Sequence, residues 1–448
     1  MRSIFVHLHR WFGLTIAGFL FISGITGAII SWDHELDELL NPHLTEVQSR
    51  GQAIPPLEIA RRIEAANPHA WVTFIPLSTQ SGESTTFGIT PRVSPETGRA
   101  YELGYNQVFV DPITGLELGK REWGAVSLSR ENLISFLYKL HYSLHIPEMW
   151  GTDRWGIWLL GIIAIIWTLD CFFGLYLTLP LRRQRLSKTN ALLNRAIPNT
   201  YLQPKLATQK TESTWWERWL PAWKVRWKNE GYKRNFDLHR AGSLWTWTLL
   251  FIIAFTAFSL NLNREVFFPV MSLVSNVTPD PFDLRTPKDK HHPIIPRINY
   301  ESIIDKAHAE SARRGWKEPA GSIFYAEDYG IYGVAFFHPG DNHGAAGVGP
   351  AQLYFDAKDG RYLGDRKPWK GSVADIFMQM QFPLHSGRIL GLPGRILISI
   401  MGLVVAMLSV TGVYIWWKKR RGRAVLTERT RRAPNTGISN NYSIYKNP

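Results

Sequence analysis

Residues 9–32 read HRWFGLTIAGFLFISGITGAIISW, an apolar run that opens with a histidine and an arginine. A similar run, HRAGSLWTWTLLFIIAFTAFSLNL, occupies residues 239–262. An offset of 230 residues between the two runs places His9 on His239 and Thr26 on Thr256. Each run is long enough to cross a hydrocarbon core about 30 Å thick, which takes about 20 helical residues. The sequence therefore predicts an internally repeated membrane protein.

Two further apolar runs bring the predicted transmembrane helices to four: 11–32, 157–179, 242–262 and 395–417. Trp, Tyr and Phe crowd their ends, as is typical of interfacial aromatic belts. The first run is too long for a signal peptide, and no small-residue cleavage site follows it. We therefore expect it to be retained as an anchor.

The charges predict the orientation of these helices. Residues 1–10, 181–238 and 418–448 together hold 24 Lys and Arg against 5 Asp and Glu, in a chain of net charge +14. The segments 31–156 and 262–394 carry no basic excess. By the positive-inside rule, both termini are expected in the cytoplasm. The basic segments favour lipid contact over nucleic-acid binding, because no nucleic-acid-binding module accompanies them.

Further repeats connect the two halves. VFVDPITGLELGKR (108–121) matches YFDAKDGRYLGDR (354–366), and FGLYL (173–177) matches TGVYI (411–415). Both copies therefore read as a span, an outer domain and a second span. Such a parallel duplication predicts a pseudo-twofold axis along the membrane normal.

Each outer domain is predicted to be a small α+β unit. The first is expected to contain a helix over Pro56–Ala66 and strands over Trp71–Ile75, Thr85–Thr90 and Gln107–Val110. The second is expected to contain a helix over Tyr300–Arg313 and strands over Ile323–Tyr325, Tyr332–Phe337 and Gln352–Phe355. The pattern does not predict how the two domains contact each other.

The full predicted order is a cytoplasmic N-terminus (1–10), a first span (11–32), an outer domain (33–156), a second span (157–179), a basic cytoplasmic loop (180–241), a third span (242–262), an outer domain (263–394), a fourth span (395–417) and a cytoplasmic tail (418–448).

Four histidines occupy matching places at the ends of these spans. His9 and His239 lie at the predicted cytoplasmic entrances, whereas His141 and His385 precede the spans on the predicted outer side. Neutral imidazole is a good iron ligand, and a helical bundle is a usual place for haem. Two such pairs are what two haems, each with two axial histidines, would need. The single cysteine, Cys171, excludes covalent attachment through C-x-x-C-H, so the haems would be of the b type.

Neighbouring histidines leave alternatives open. His145 lies four residues after His141 on one predicted helical face, and His7 competes with His9. The repeat favours His141, which lies 30 residues after Asp111, as His385 lies 29 after Asp356. His34 has Arg264 at its repeat position and is expected to be interfacial.

The combination of HRWFGL, VDPITG, LHYSLH, LHSGRILGLPGR and VTGVYIWWKKR resembles the PepSY-associated transmembrane (PepSY-TM) family over nearly the whole chain. The resemblance implies PepSY-like outer domains and, from the best-understood members, a di-haem inner-membrane reductase of ferric siderophores. His9 and His239 would then hold the haem on the cytoplasmic side, and His141 and His385 the haem on the periplasmic side. Arg10, Arg240 and Arg388, which adjoin three of the ligands, are candidates for pairing with haem propionates or for ordinary headgroup contacts.

The electron donor would be a separate cytoplasmic reductase or a quinol, because the sequence contains no recognisable flavin or nicotinamide site. The outer domains are expected to form a cleft for the siderophore. The alternative function is a non-enzymatic membrane protein whose PepSY domains regulate a protease or sense a peptide or other ligand. A transport role is disfavoured, because Asp170 is the main ionisable residue within the spans.

Overall fold

The computed structural model describes residues 2–181, 213–341 and 343–432. Parts of the predicted cytoplasmic loop 180–241 and tail 418–448 therefore lie outside the described residues. The chain divides into two compact units. Unit 1 comprises Met1–Ala17, Phe172–Trp245 and Met407–Pro448, and unit 2 comprises Gly18–Cys171 and Thr246–Ala406.

The described residues contain both long apolar helices and short helices. In chain order they are α1 (Arg2–Ile30), α2 (Asp33–Leu40), α3 (Pro42–Thr45), α4 (Pro56–Ala66), α5 (Leu133–Ser143), α6 (Trp155–Thr178), α7 (Trp215–Trp219), α8 (Tyr232–Trp245), α9 (Trp247–Asn261), α10 (Phe268–Val274), α11 (Tyr300–Arg313), α12 (Val373–Gln379), α13 (Gln381–Ser386) and α14 (Leu392–Arg432). Short 3₁₀ turns occupy Leu220–Trp223, Ala345–Gly347 and Arg388–Leu390, and a π-turn occupies Asn263–Phe267.

Three helices among the described residues are long and apolar enough to cross a membrane: α1, α6 and Leu392–Val425 of α14. The bent pair α8 and α9 makes a fourth if it is one broken span. The predicted third span, 242–262, is thus not one straight helix. Trp245 donates its indole N–H to the carbonyl of Trp223, and Trp247 donates to that of Cys171. The two tryptophans that flank Thr246 are therefore held by separate hydrogen bonds. The apolar sequence itself shows no break at this point.

Small residues let two long helices approach closely within unit 2. A Cβ atom added at Gly24 of α1 would lie 2.6 Å from the carbonyl oxygen of Gly402 of α14. Trp32 donates its indole N–H to the Ser399 hydroxyl over 2.9 Å, and Arg395 makes two hydrogen bonds of 2.7 Å to the Glu35 carboxylate. The hydrogen bonds from Arg395 lower the pKa of Glu35 to about 2. These contacts hold the start of α2 against α14.

One antiparallel sheet of eight strands contains the strands of both halves, in the order β4-β3-β2-β1-β5-β6-β7-β8. The strands are β1 (Ala70–Pro76), β2 (Thr85–Pro91), β3 (Gln107–Val110), β4 (Glu117–Arg121), β5 (Ala320–Ala326), β6 (Ile331–Phe336), β7 (Ala351–Asp356) and β8 (Tyr362–Arg366). The halves meet where β1 pairs with β5, with Phe74 opposite Phe324 and Ile75 opposite Ile323. Apolar side chains of α4 and α11, including Ile59, Ile63 and Ile303, pack with the sheet in one core.

Polar contacts fix the helices that carry the candidate ligands of unit 2. Arg121, at the end of β4, donates to the Asp37 carboxylate and to the backbone carbonyl of Glu131, just before α5. The buried Gln381 at the start of α13 accepts a 2.9 Å hydrogen bond from the Ser259 hydroxyl of α9. Because buried polar groups need hydrogen-bond partners, these contacts fix the positions of α5 and α13.

Candidate functional site

The four repeat-matched histidines form two pairs, one in each unit. In unit 1, the ring centroids of His9 on α1 and His239 on α8 lie 6.3 Å apart, with an interplanar angle of 54°. In unit 2, the rings of His141 on α5 and His385 on α13 lie 6.1 Å apart at 52°. The two pairs therefore have nearly the same geometry.

This separation matches two imidazoles on opposite sides of one metal ion. A metal–imidazole bond is about 2.0 Å long. The distance from nitrogen to ring centre adds about 1.2 Å, since ring bonds are about 1.35 Å. Two axial imidazoles therefore place their centroids about 6.4 Å apart. Ordinary ring pairs in this protein cover the same range, as the 5.9 Å between Phe12 and Phe173 shows, so the distance agrees with a shared metal ion without requiring one.

Threonine hydroxyls face the Nδ1 atoms of three of these rings, and for His239 the carbonyl oxygen of Leu408 does so as well, at 3.1 Å. The Nδ1 atoms of His141, His385 and His239 lie 3.1, 3.0 and 3.1 Å from the hydroxyls of Thr26, Thr256 and Thr411. The hydroxyl of each threonine donates its one proton to the backbone carbonyl four residues earlier, at 2.7–2.8 Å. Its oxygen must then accept from an Nδ1–H, because a hydroxyl has only one proton to donate. The lone pair of each ring is consequently on Nε2, where a metal ligand needs it.

Glycines adjoin three of the rings. A Cβ atom added at Gly27 would lie 2.9 Å from Cε1 of His141. At Gly174 and Gly412 the corresponding distances to Cε1 of His9 and His239 are 3.4 and 3.2 Å. These two glycines are the repeat-matched residues of FGLYL and TGVYI. Each of them therefore lies in close contact with the histidine ring of its own repeat.

Burial keeps the unit 2 pair neutral. The rings of His141 and His385 are only partly accessible. Burial lowers the pKa of His141 to about 4 and that of His385 to about 4. Neutral imidazole is the form that binds a metal.

Two of the candidate arginines have an unsatisfied buried nitrogen. The Nε atoms of Arg10 and Arg240 are buried and have no hydrogen-bond partner among the described residues. Arg240 also donates to the buried Asp237 carboxylate and to the carbonyl of Pro221. Arg388 lies 3.5 Å from the Asp33 carboxylate. Arg10 and Arg240 thus retain a donor for an anionic group beside the His9–His239 pair, whereas Arg388 already faces a carboxylate.

The competing histidines lie elsewhere. His145 has a left-handed backbone (φ 52°), stacks on Phe136, and has its Nε2 atom 2.8 Å from the Phe136 carbonyl oxygen. His7 is exposed, with Nδ1 2.7 Å from the carbonyl of Ser3. His34 contacts His343, a partner that repeat matching does not identify.

The residues present fit a haem better than a metal ion held by the protein alone. In the part of the chain that the structure describes, no group of three or more His, Cys, Asp or Glu side chains is arranged to hold a metal ion. A bis-histidine haem needs only two protein ligands, because the porphyrin supplies the other four. The paired rings, their Nδ1 partners and the orphaned arginine nitrogens fit that requirement.

A cavity of about 310 Å³ lies elsewhere in unit 2, between α4, α11 and the sheet. Trp71, Tyr300 and Tyr332 contribute to its lining, which contains none of the four paired histidines. The cavity is therefore distinct from the histidine sites.

Sequence reasoning found the four histidines but missed the threonines. Thr26 and Thr256 stand at matching positions of the repeat, which was the available signal. Thr411 has Phe173 at its repeat position, so no such signal existed for it.

Replacing Thr256 with valine is expected to weaken haem retention at the His141–His385 pair by about 10- to 100-fold, the usual cost of losing a partner of a metal ligand. Valine keeps the branched shape but cannot accept the Nδ1–H of His385. Haem retention during dilution into apomyoglobin measures the effect. Thr248→Val, on the same helix, is the control. Equal retention in the two variants would contradict the tautomer assignment.

Residues 6–419 match the family model described as the PepSY-associated TM region. None of the curated proteins compared with the chain matches it. The family match spans most of the chain, including all four paired histidines and the eight-stranded sheet. The resemblance seen in the sequence motifs is thereby confirmed, and the chain belongs to the PepSY-associated TM family of membrane proteins.

Proposed function

We propose that this protein is a di-haem b oxidoreductase of the bacterial inner membrane that reduces ferric siderophores on the periplasmic side. The observation that carries the proposal is the pair of matching histidine sites, 6.3 and 6.1 Å between ring centroids. The sequence motifs of the chain, which resemble those of di-haem siderophore reductases, also favour it.

The proposed arrangement is four spans in two parallel repeats, with both termini in the cytoplasm. Its support is the concentration of Lys and Arg in residues 1–10, 181–238 and 418–448. In this orientation the His9–His239 pair lies on the cytoplasmic side and the His141–His385 pair on the periplasmic side. Electrons would enter at the first pair from a cytoplasmic reductase or a quinol.

A haem b supplies one-electron exchange between Fe(III) and Fe(II) when bound. The two histidines of each pair would be the protein ligands of one haem, a ligand set that suits electron transfer rather than oxygen activation. Thr26, Thr256 and Thr411 hold the ring orientations. Arg10 and Arg240 would offer their Nε–H groups to propionates, as charge-assisted hydrogen bonds.

The substrate proposal follows from iron chemistry. Siderophores hold Fe(III) through hard oxygen donors and hold Fe(II) poorly. Transfer of one electron to the chelated Fe(III) yields Fe(II), which the chelate releases. The electron transfer itself makes or breaks no covalent bond, and the oxygen donors freed when Fe(II) leaves take up protons from solvent.

The primary test is an absorption spectrum of the full chain purified from haem-replete cells. About two b-type haems per chain are expected, with a low-spin bis-histidine spectrum that dithionite reduces. Stopped-flow oxidation of the reduced protein should then be faster with a ferric siderophore than with ferric citrate. A colourless protein would favour the alternative, a non-enzymatic PepSY regulator. Equal rates with both chelates would retain electron transfer but remove the siderophore as substrate.

A further inference from the structure

A third histidine pair lies in unit 2, outside the two candidate haem sites. His34 is in the first turn of α2, and His343 lies in the glycine-rich loop between β6 and β7. Their Nε2 atoms are 3.4 Å apart, and their rings meet edge to face at 74°. Both side chains are exposed or partly exposed, so a dissolved ion has access to them.

The separation of the two nitrogens suits a shared metal ion better than a direct hydrogen bond. An N–H hydrogen bond usually measures about 2.7–3.2 Å between heavy atoms, so 3.4 Å is long for one. Two imidazole nitrogens bound to a tetrahedral metal at about 2.05 Å lie about 3.3 Å apart. The observed distance agrees with the second geometry.

The segments that carry both histidines are fixed. Glu35, next to His34, is held by Arg395. On the loop side, the indole of Trp369 donates to the Ala345 carbonyl over 2.8 Å. Gly347 has a left-handed backbone (φ 89°), and a side chain there would collide with Cβ of Arg388. The approach of the two rings therefore follows from packing on both sides.

The pair is also tied to the segment that carries His385. Arg388, three residues after His385, lies 3.5 Å from Asp33, which directly precedes His34. The carboxylates of Asp33 and Glu35 offset the charges of Arg388 and Arg395 around the pair. Each of these two arginines is therefore matched by one carboxylate.

We propose that His34 and His343 form a binding site for a divalent transition-metal ion, with water completing the coordination. Imidazole nitrogens favour borderline ions such as Fe(II), Cu(II) and Zn(II), whereas Fe(III) in a siderophore prefers oxygen. Resting on the proposed function, the physiological occupant is the Fe(II) that the reduction releases. The site then receives the product beside the segment that bears the His141–His385 pair.

The test uses the full chain without an affinity tag, in its oxidised form. Cu(II) is the first probe, because it binds nitrogen sites most tightly among these ions and its electron paramagnetic resonance spectrum reports nitrogen ligands. His34→Gln and His343→Gln should each weaken one Cu(II) site by about tenfold or more, as the loss of one of two protein ligands requires. His308→Gln, an exposed histidine on α11, is the matched control. Wild-type Cu(II) binding in both the His34 and His343 variants would overturn the site.

Anaerobic equilibrium dialysis with Fe(II) identifies the occupant. If the wild-type protein binds Fe(II) and both variants lose that binding, Fe(II) is supported as the physiological occupant of the site. If the site binds Cu(II) but not Fe(II), the assignment of Fe(II) as the occupant is overturned. Haem content, measured on the same samples, should be unchanged in both variants. The metal site and the haem proposal therefore fail independently of each other.

Discussion

Replacing His141 with alanine is expected to remove one of two haems, and replacing His385 is expected to remove the same one. Both rings belong to a single pair with centroids 6.1 Å apart, so under the proposed function each would be one of the two protein ligands of the same haem. A haem held only by its remaining histidine and by packing is expected to be lost during purification. Pyridine haemochrome quantification and low-temperature reduced spectra of each variant measure the loss.

The His9–His239 pair provides the complementary experiment. Alanine at either position should remove the other haem and leave the first spectrum intact, because the two pairs share no residue. His145→Ala is the matched control, since the Nε2 atom of His145 faces the Phe136 carbonyl. Loss of one and the same haem from His9→Ala and His385→Ala would show that the pairing is wrong. If His145→Ala lost a haem and His141→Ala did not, His145 rather than His141 would be the ligand.

Gly27→Val is expected to eliminate the haem at the His141–His385 pair, and Gly412→Val the haem at the His9–His239 pair. A Cβ atom at Gly27 would lie 2.9 Å from His141, and one at Gly412 would lie 3.2 Å from His239. Both distances are below ordinary contact, and valine adds two more carbons. The displaced ring can no longer align its Nε2 with an axial position, for which a misplacement of about 1 Å is decisive.

Gly18→Val separates this effect from simple helix disruption. Gly18 lies on the same helix as Gly27, but a Cβ atom added there meets nothing within 4 Å. The control should retain both haems and the same far-ultraviolet circular dichroism as the wild type. Full haem content in Gly27→Val and Gly412→Val, with folded protein, would contradict the assignment of the histidine rings to haem.

Local sequence signals predicted the outer helices and strands well. The helices α4 and α11 have the bounds expected from the 3.6-residue spacing of their apolar residues, and β3 coincides with Gln107–Val110. These elements each bury one face in a common core, so their periodicity carries the information needed. The helix bounds at the membrane extend beyond the predicted spans, since α14 continues to Arg432. A polar helical extension has no hydropathy signal.

Features that depend on distant residues could not be read from the sequence. The pairing of β1 with β5 joins residues about 250 positions apart, and no local pattern specifies a neighbour across a sheet. The break at Thr246 falls inside a continuous apolar run without proline. His343 approaches His34 from a loop that does not correspond to the position of His34 in the repeat.

The candidate haem ligands were predictable because the duplication repeats them, whereas their hydrogen-bond partners were only partly so. Thr26 and Thr256 share both position and role. Thr411 performs the same role for His239 at a position where the other repeat has Phe173. The two histidine pairs are therefore related by duplication, but their immediate surroundings have diverged.

The antiparallel junction between β1 and β5 bears on how such a chain could have originated. When two identical subunits join edge to edge about a twofold axis, the same strand of each pairs antiparallel with its copy. In this protein the first strand of each half makes that pairing, with Ile75 opposite Ile323. The arrangement is compatible with an ancestral homodimer in which each half-length subunit supplied one histidine to each pair. Duplication of the gene would have freed each copy to change independently, and the difference between Thr411 and Phe173 is a change that a homodimer of identical chains could not carry.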